Sequence, residues 1–141
     1  VKIQPGFSGT ITFKGTWPTD ILQTRIVLFK SPLLTPDDFN ATNLRYVSEI
    51  IPSGVTSYDY NSLSPDATIS NIEPGEYSYL AVAQSNALLS FARQDWRVVG
   101  LYVIPPDTIN PAKLIIPSDR FLENINIICD FDNPPNQPPG E

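Results

Sequence analysis

Hydrophobic and polar positions alternate in short runs along this chain. The clearest run is residues 7–13, where Phe7, Gly9, Ile11 and Phe13 fall on one side and Ser8, Thr10 and Thr12 on the other. A period of two is the signature of a strand with one buried face, and Lys14 extends the polar side. Residues 24–30 are apolar on both sides, Ile26 and Leu28 against Val27 and Phe29, which predicts a strand inside a sheet. The most informative stretch is residues 69–83. Pro74 sets φ at the first turn position, Gly75 supplies the positive φ that a type II turn requires next, and a strand is expected from Tyr77. Tyr77, Tyr79, Ala81 and Ala83 then share one face, and Ser78, Leu80 and Val82 the other, so this strand too belongs in mid-sheet.

The remaining runs extend the picture. Residues 46–51 and 56–60 read as a strand pair around Pro52, Ser53 and Gly54. Residues 96–104 read as a strand with Val99, Leu101 and Val103 opposite Trp96, Val98 and Tyr102; residues 112–116 form a short element, and residues 122–131 close the series. One helical turn is expected at Thr35, Pro36, Asp37, Asp38 and Phe39, where a capping hydroxyl precedes Pro at the first helical position and acids in the first turn. The apolar run at residues 87–92 is too short for periodicity to choose between helix and strand. Short strands with frequent turn signals and no long helix predict an all-β fold, an antiparallel β-sandwich of about seven to eight strands, with an up-and-down barrel as the alternative. Residues 1–131 then form a single domain, and residues 132–141, with four prolines and no apolar content, a Pro-rich tail or linker.

Composition narrows the function classes. A chain of 141 residues suits one domain and buries roughly 68–70% of its unfolded surface. Fifteen acidic against nine basic residues give a net charge of -6, which repels phosphate backbones and makes nucleic acid an unfavourable partner. There is no His, so a Ser or Cys nucleophile lacks its commonest general base. Cys129 is the single cysteine and alternates with Ile125, Ile127 and Phe131, the position of a small core residue. No run approaches the length of a membrane-spanning helix. The chain opens on Val1, the pattern of a trimmed or mature form, with a signal or lipid anchor expected upstream.

Three segments carry a resemblance. Phe7-Ser8-Gly9-Thr10-Ile11-Thr12-Phe13, the Ile72-Glu73-Pro74-Gly75-Glu76-Tyr77 turn and Asn124-Ile125-Asn126-Ile127 resemble the carboxypeptidase-regulatory-like, transthyretin-like (prealbumin-like) sandwiches. Residues 79–84, 95–100 and 129–132 are similar to small domains of bacterial cell-surface proteins and lipoproteins. The resemblance implies a seven- or eight-stranded sandwich outside the cytoplasm, used as a spacer, adhesion or carbohydrate-binding module, and implies no enzyme activity. In pilin- and adhesin-type relatives of this fold a Lys–Asn isopeptide bond forms beside a buried acid. The analogous pair would be Lys14 with Asn124 or Asn126, but Ala81 stands about where the acid should be; Lys14 is therefore read as an ordinary strand lysine.

Candidate chemistry follows from side-chain type. Sugar binding needs aromatic faces beside amides and acids, which singles out Trp17 in its Thr-Trp-Pro-Thr-Asp loop, Tyr58 with Tyr60, and Asp95 with Trp96, although Trp96 lies in an apolar strand and reads as core. Oxygen-rich runs at Asp37 and Asp38, and at Asp130 and Asp132, are the calcium candidates, without EF-hand spacing and with solvated or helix-capping acids as the competing account. The same acid pairs are the only routes to acid/base catalysis. No cofactor is implied. The expectation is a non-catalytic extracytoplasmic module, a structural spacer or protein-interaction domain of a cell-envelope protein, with carbohydrate binding as the alternative. Its partners would be a protein or a glycan at the cell envelope, or a second copy through a sheet edge.

Overall fold

The computed structural model describes residues 5–19, 21–30, 43–70, 72–86, 96–104 and 111–133. The expected helical turn at residues 35–39, the apolar run at residues 87–92 and the tail beyond residue 133 lie outside them. The described chain is all-β, with ten strands and no helix: β1 Ser8–Lys14, β2 Gln23–Phe29, β3 Leu44–Val47, β4 Ser57–Asn61, β5 Ile69–Ser70, β6 Gly75–Tyr77, β7 Tyr79–Ser85, β8 Trp96–Leu101, β9 Leu114–Ile116 and β10 Ile127–Asp130. Eight form one sheet in the order β4-β1-β10-β8-β7-β2-β3-β5, and β6 pairs with β9 in a second, small sheet.

The large sheet curls around a core of Phe7, Ile11, Phe13, Ile26, Leu28, Tyr46, Tyr60, Leu80, Val82, Val99, Ile127 and Cys129. Its curl brings the two ends of the strand order together. Phe7, leading into β1, meets Tyr46 of β3 edge-to-face at 5.7 Å and Tyr60 of β4 at 5.8 Å. Tyr77, Leu114 and Ile116 of the small sheet pack into the same core. A second apolar cluster, including Val27, Phe29, Tyr79, Ala81, Ala83, Trp96 and Val98, occupies the opposite face of β2, β7 and β8. Two apolar faces make this a sandwich-like arrangement, and β7 is buried at every residue because it has strands on both edges and apolar side chains on both faces.

Several expectations hold. β1 buries Ile11 and Phe13 and exposes Thr12 and Lys14, β2 and β7 are interior strands paired along their whole length, and Cys129 is fully buried. Others are corrected. Residues 46–51 and 56–60 do not pair: β3 lies against β2 and β5, whereas β4 lies against β1. After Val47 the chain keeps following β2, since Ser48 exchanges bonds with Ile26 through its amide and its Oγ, and the Ile51 amide donates to the Thr24 carbonyl at 2.8 Å. The strand expected from Tyr77 is interrupted at Ser78. Tyr77 belongs to the first core with Leu80 and Val82, and Tyr79, Ala81 and Ala83 to the second, because β6 leaves the large sheet to join β9. Gly75 has a φ of 144°, outside type II turn geometry. In β8, Val82 pairs with Gly100 and Ala83 with Val98, so Val99 is the extra residue of a bulge. That bulge sends Val99 into the first core while Leu101 and Val103 go to the second, although simple alternation puts all three together.

The pairs in the large sheet are antiparallel except one: β1 and β10 are parallel, with Ile11 opposite Ile127 and Lys14 opposite Asp130. The pairing extends towards the start of both strands through a parallel bridge between Phe7 and Leu122. From Phe7–Leu122 to Ile11–Ile127 the second chain advances by one residue more than the first, so a bulge lies between them. Asn124 takes the left-handed conformation there, with φ 61°, a region that Asn tolerates better than most residues. Gly9 faces the bulge, and a Cβ on it would overlap the Ile125 carbonyl.

Candidate functional site

Among the described residues an open polar groove of about 540 Å3 lies beside the β1–β4 edge of the sheet. Alternation generates it: Ser8 and Thr10 of β1 and Asp59 and Asn61 of β4 point away from the core that Phe7, Ile11 and Tyr60 fill. Glu49, Ser64, Glu123 and Asn124 complete the rim from the flanking loops. The groove presents hydroxyls, amides and carboxylates. Thr10 Oγ1 donates to Asp59 Oδ1 at 2.7 Å, and Asn61 Oδ1 accepts the Leu63 amide at 2.8 Å, so both side chains are held in place.

Behind the groove stands a tyrosine cluster around one carboxylate. The Tyr58 hydroxyl donates to Glu49 Oε2 at 2.6 Å, and Tyr60 donates to the Ile125 carbonyl at 2.6 Å. Glu49 Oε1 and the Tyr46 hydroxyl are shielded from solvent and make no hydrogen bond among the described residues. Burial first, then the bond to Glu49 and the charges of Glu49 and Asp66, push the Tyr58 phenol up to about 12. Tyr46 is raised further by burial and by the neighbouring Glu49 and Tyr58, and Tyr60 by burial, Tyr46 and Tyr102. Phenols so placed stay protonated at neutral pH, and those of Tyr58 and Tyr60 act as donors. Burial likewise raises the Cys129 thiol well above its ordinary range, so little of it is nucleophilic thiolate.

The residues singled out from the sequence are dispersed. Trp17 is half-buried, packed against both Phe13 at 4.7 Å and Phe131 at 5.1 Å, with its indole N–H donating to the Val55 carbonyl at 2.8 Å. Tyr58 and Tyr60 do share a face, but it is the inner one: Tyr60 is 3% exposed and Tyr58 is partly buried against the core. Trp96 is 7% exposed in the second cluster, as its strand pattern indicated. Asp95 lies outside the described residues. The exposed aromatic platform is thus corrected at Tyr60 and Trp96, whose rings complete the packing of the curled sheet. Of the calcium candidates, Asp37 and Asp38 lie outside the described residues. Asp130 Oδ1 accepts the Asp132 amide at 3.0 Å and its Oδ2 meets Asn133 Nδ2 at 3.4 Å, an Asx-type turn that ends β10. No group of three or more acids or cysteines among the described residues is arranged to hold a metal ion. Lys14 is exposed opposite Asp130, and the Asn126 side chain accepts the Thr10 amide, so the residues of the isopeptide analogy are not juxtaposed.

Glu49 and Glu123 were not singled out by sequence reasoning. Asp59 had a signal, its polar place between Tyr58 and Tyr60. Glu49 and Glu123 had none, because their neighbours arrive from other strands. Comparison of the chain with protein families, with curated proteins and with solved structures finds no match. No helix among the described residues is long and apolar enough to cross a membrane.

Proposed function

We propose that this chain is a non-catalytic module outside the cytoplasm, a structural spacer or protein-interaction domain of a cell-envelope protein, in keeping with its transthyretin-like resemblance. One observation carries the reading. Because β1 and β10 are adjacent and parallel, the chain runs into β1 at one pole and leaves β10 at the other. A body entered and left at opposite poles holds its neighbours apart. The seven residues of β1 alone span about 23 Å at 3.3 Å per residue. Acidic character and apolar packing on both sheet faces support the same reading, while the extracytoplasmic placement rests on the resemblance.

Fluorescent reporter proteins fused to the two ends of the full chain test the spacer reading. Energy transfer should report one narrow, long separation that mild denaturant abolishes only as the sheet unfolds. A broad distribution, or reporters lying side by side, would remove it. A second reading, carbohydrate binding, is favoured by the groove and its hydroxyl, amide and carboxylate lining. Affinity electrophoresis through soluble polysaccharides, with Asp59→Ala and Trp17→Ala beside the parent, distinguishes the two. Retardation lost only in Asp59→Ala places a sugar in the groove, whereas unchanged mobility of all three leaves the spacer.

A further inference from the structure

We propose that the β1–β10 pair is a shear-loaded clamp that lets the module carry tension along its chain, an inference that rests on the spacer reading above. Tension acting through the chain pulls β1 from its beginning and β10 from its end. Since the strands are parallel neighbours, the two pulls oppose each other along a common axis. Inter-strand hydrogen bonds run across that axis, so every bond of the pair is strained at once and all must yield together. The same bonds opened from one end would break one at a time under a smaller force.

The clamp is longer than the two strands. Towards the pole where β1 begins, the Leu122 amide donates to the Gly6 carbonyl at 3.1 Å, Ser8 donates to Leu122 at 3.0 Å and Ile125 donates to Ser8 at 2.9 Å. At the other pole the Phe131 amide donates to the Lys14 carbonyl at 3.0 Å. Within the bulge, where backbone pairing is interrupted, Asn126 Oδ1 takes the Thr10 amide at 2.8 Å. Both strands are also held from outside, β1 by β4 and β10 by β8. On the inner side Ile11, Phe13, Ile125, Ile127 and Cys129 are buried, which keeps water from competing for the strained bonds. The Phe13 and Phe131 rings stack at 6.0 Å across the two strands near the exit pole.

The test compares pulling directions on the same protein in optical tweezers. In the first geometry DNA handles are attached to the two ends of the full chain, which shears β1 against β10. In the second, one handle stays at the carboxyl end and the other is attached through Thr16→Cys, an exposed position just beyond β1, so that both handles act at one pole and peel the pair open. The end-to-end geometry should require a rupture force several-fold higher at the same loading rate. Equal forces in the two geometries, or a lower force end to end, overturn the clamp. Urea unfolding of the Thr16→Cys protein, measured beside the parent, checks that the attachment leaves the fold intact. Failure here leaves the spacer reading standing, because reporter separation is read without load; a failure of reporter separation does not alter the ratio of forces.

Discussion

The Asn126 side chain takes the place of a strand carbonyl: its Oδ1 accepts the Thr10 amide at 2.8 Å, across a sequence separation of 116 residues. It does so where the bulge around Asn124 interrupts the parallel pairing of β1 and β10. Replacing Asn126 by Ala removes the acceptor and should lower stability by about 0.5–1.5 kcal/mol, the net worth of one such bond. Asn126→Asp keeps an acceptor and should recover most of that. Hydrogen exchange reads it directly, since the Thr10 amide should exchange faster in the Ala variant alone; equal protection in all three proteins would refute the assignment.

The bulge itself constrains two residues. Gly9→Ala drives a methyl group into the Ile125 carbonyl, and overpacking against a backbone atom that cannot turn aside should cost about 1–3 kcal/mol. Asn124→Ala, at φ 61°, should cost about 1–2 kcal/mol, whereas Asn124→Gly should be close to neutral. Urea midpoints would rank the four proteins, and an Asn124→Ala protein as stable as the parent would show that the left-handed residue is not required.

Gly100 and Cys129 are register partners on β8 and β10, and a Cβ on Gly100 would collide with the Cys129 Sγ. Gly100→Ala alone should be destabilising. Combined with Cys129→Ala the same change should be partly tolerated, with a favourable coupling of about 0.5–3 kcal/mol. Rescue should be incomplete, since Ile127 Cγ2 and the Ile128 carbonyl also stand 3.1 and 3.2 Å from the new methyl position. Strict additivity of the two substitutions would count against this contact.

Alkaline pH should weaken the fold. Burial holds the Cys129 thiol and the Tyr46 and Tyr60 phenols above their ordinary ranges. Unfolded, these groups release protons near about pH 8.5 for the thiol and about pH 10 for the phenols, while the folded protein retains them. The unfolded chain therefore binds fewer protons there, and stability falls as pH rises, by up to about 1.4 kcal/mol per pH unit for each retained proton. Urea midpoints from pH 7 to 11 should decline from about pH 8.5 and more steeply beyond about pH 10. Cys129→Ala should delay the onset. A stability flat to pH 11, or alkylation of Cys129 in the folded protein at pH 8, would contradict this account.

Trp17 packs against the stacked Phe13 and Phe131 rings, with its N–H bonded to Val55. Trp17→Ala should cost about 3 kcal/mol, towards the lower end for an aromatic truncation because the ring is only half-buried. Trp17→Phe should recover part of that while losing the bond to Val55. A Trp17→Ala protein with an unchanged urea midpoint would return this residue to the candidates for an exposed binding surface.

Much of the candidate groove could not be read along the chain. Ser8, Thr10, Asp59 and Asn61 are legible as outward positions of two strands, but their alignment depends on β4 pairing with β1 rather than with β3. Glu49 lies only nine residues from Tyr58, yet their contact depends on the curl that brings the two edges of the sheet together. Trp17 misleads for the opposite reason. Its loop has no alternating pattern to predict burial, and its partner Phe131 comes from the end of the last strand.

By itself the sequence determined which side chains β1, β2 and β7 bury. Two-residue alternation is a property of the local backbone, so the inner face of β1, the double-sided burial of β2 and β7 and the core place of Cys129 needed no distant information. Only the tertiary structure decided which strands meet and in which direction. The parallel union of β1 with β10, the bulges at Val99 and Asn124 and the break at Ser78 arise from hydrogen bonds and packing between segments far apart in the chain. Where such a contact inserts one residue, it reverses the faces that alternation assigns beyond it, which is why Val99 and Leu101 lie in different cores.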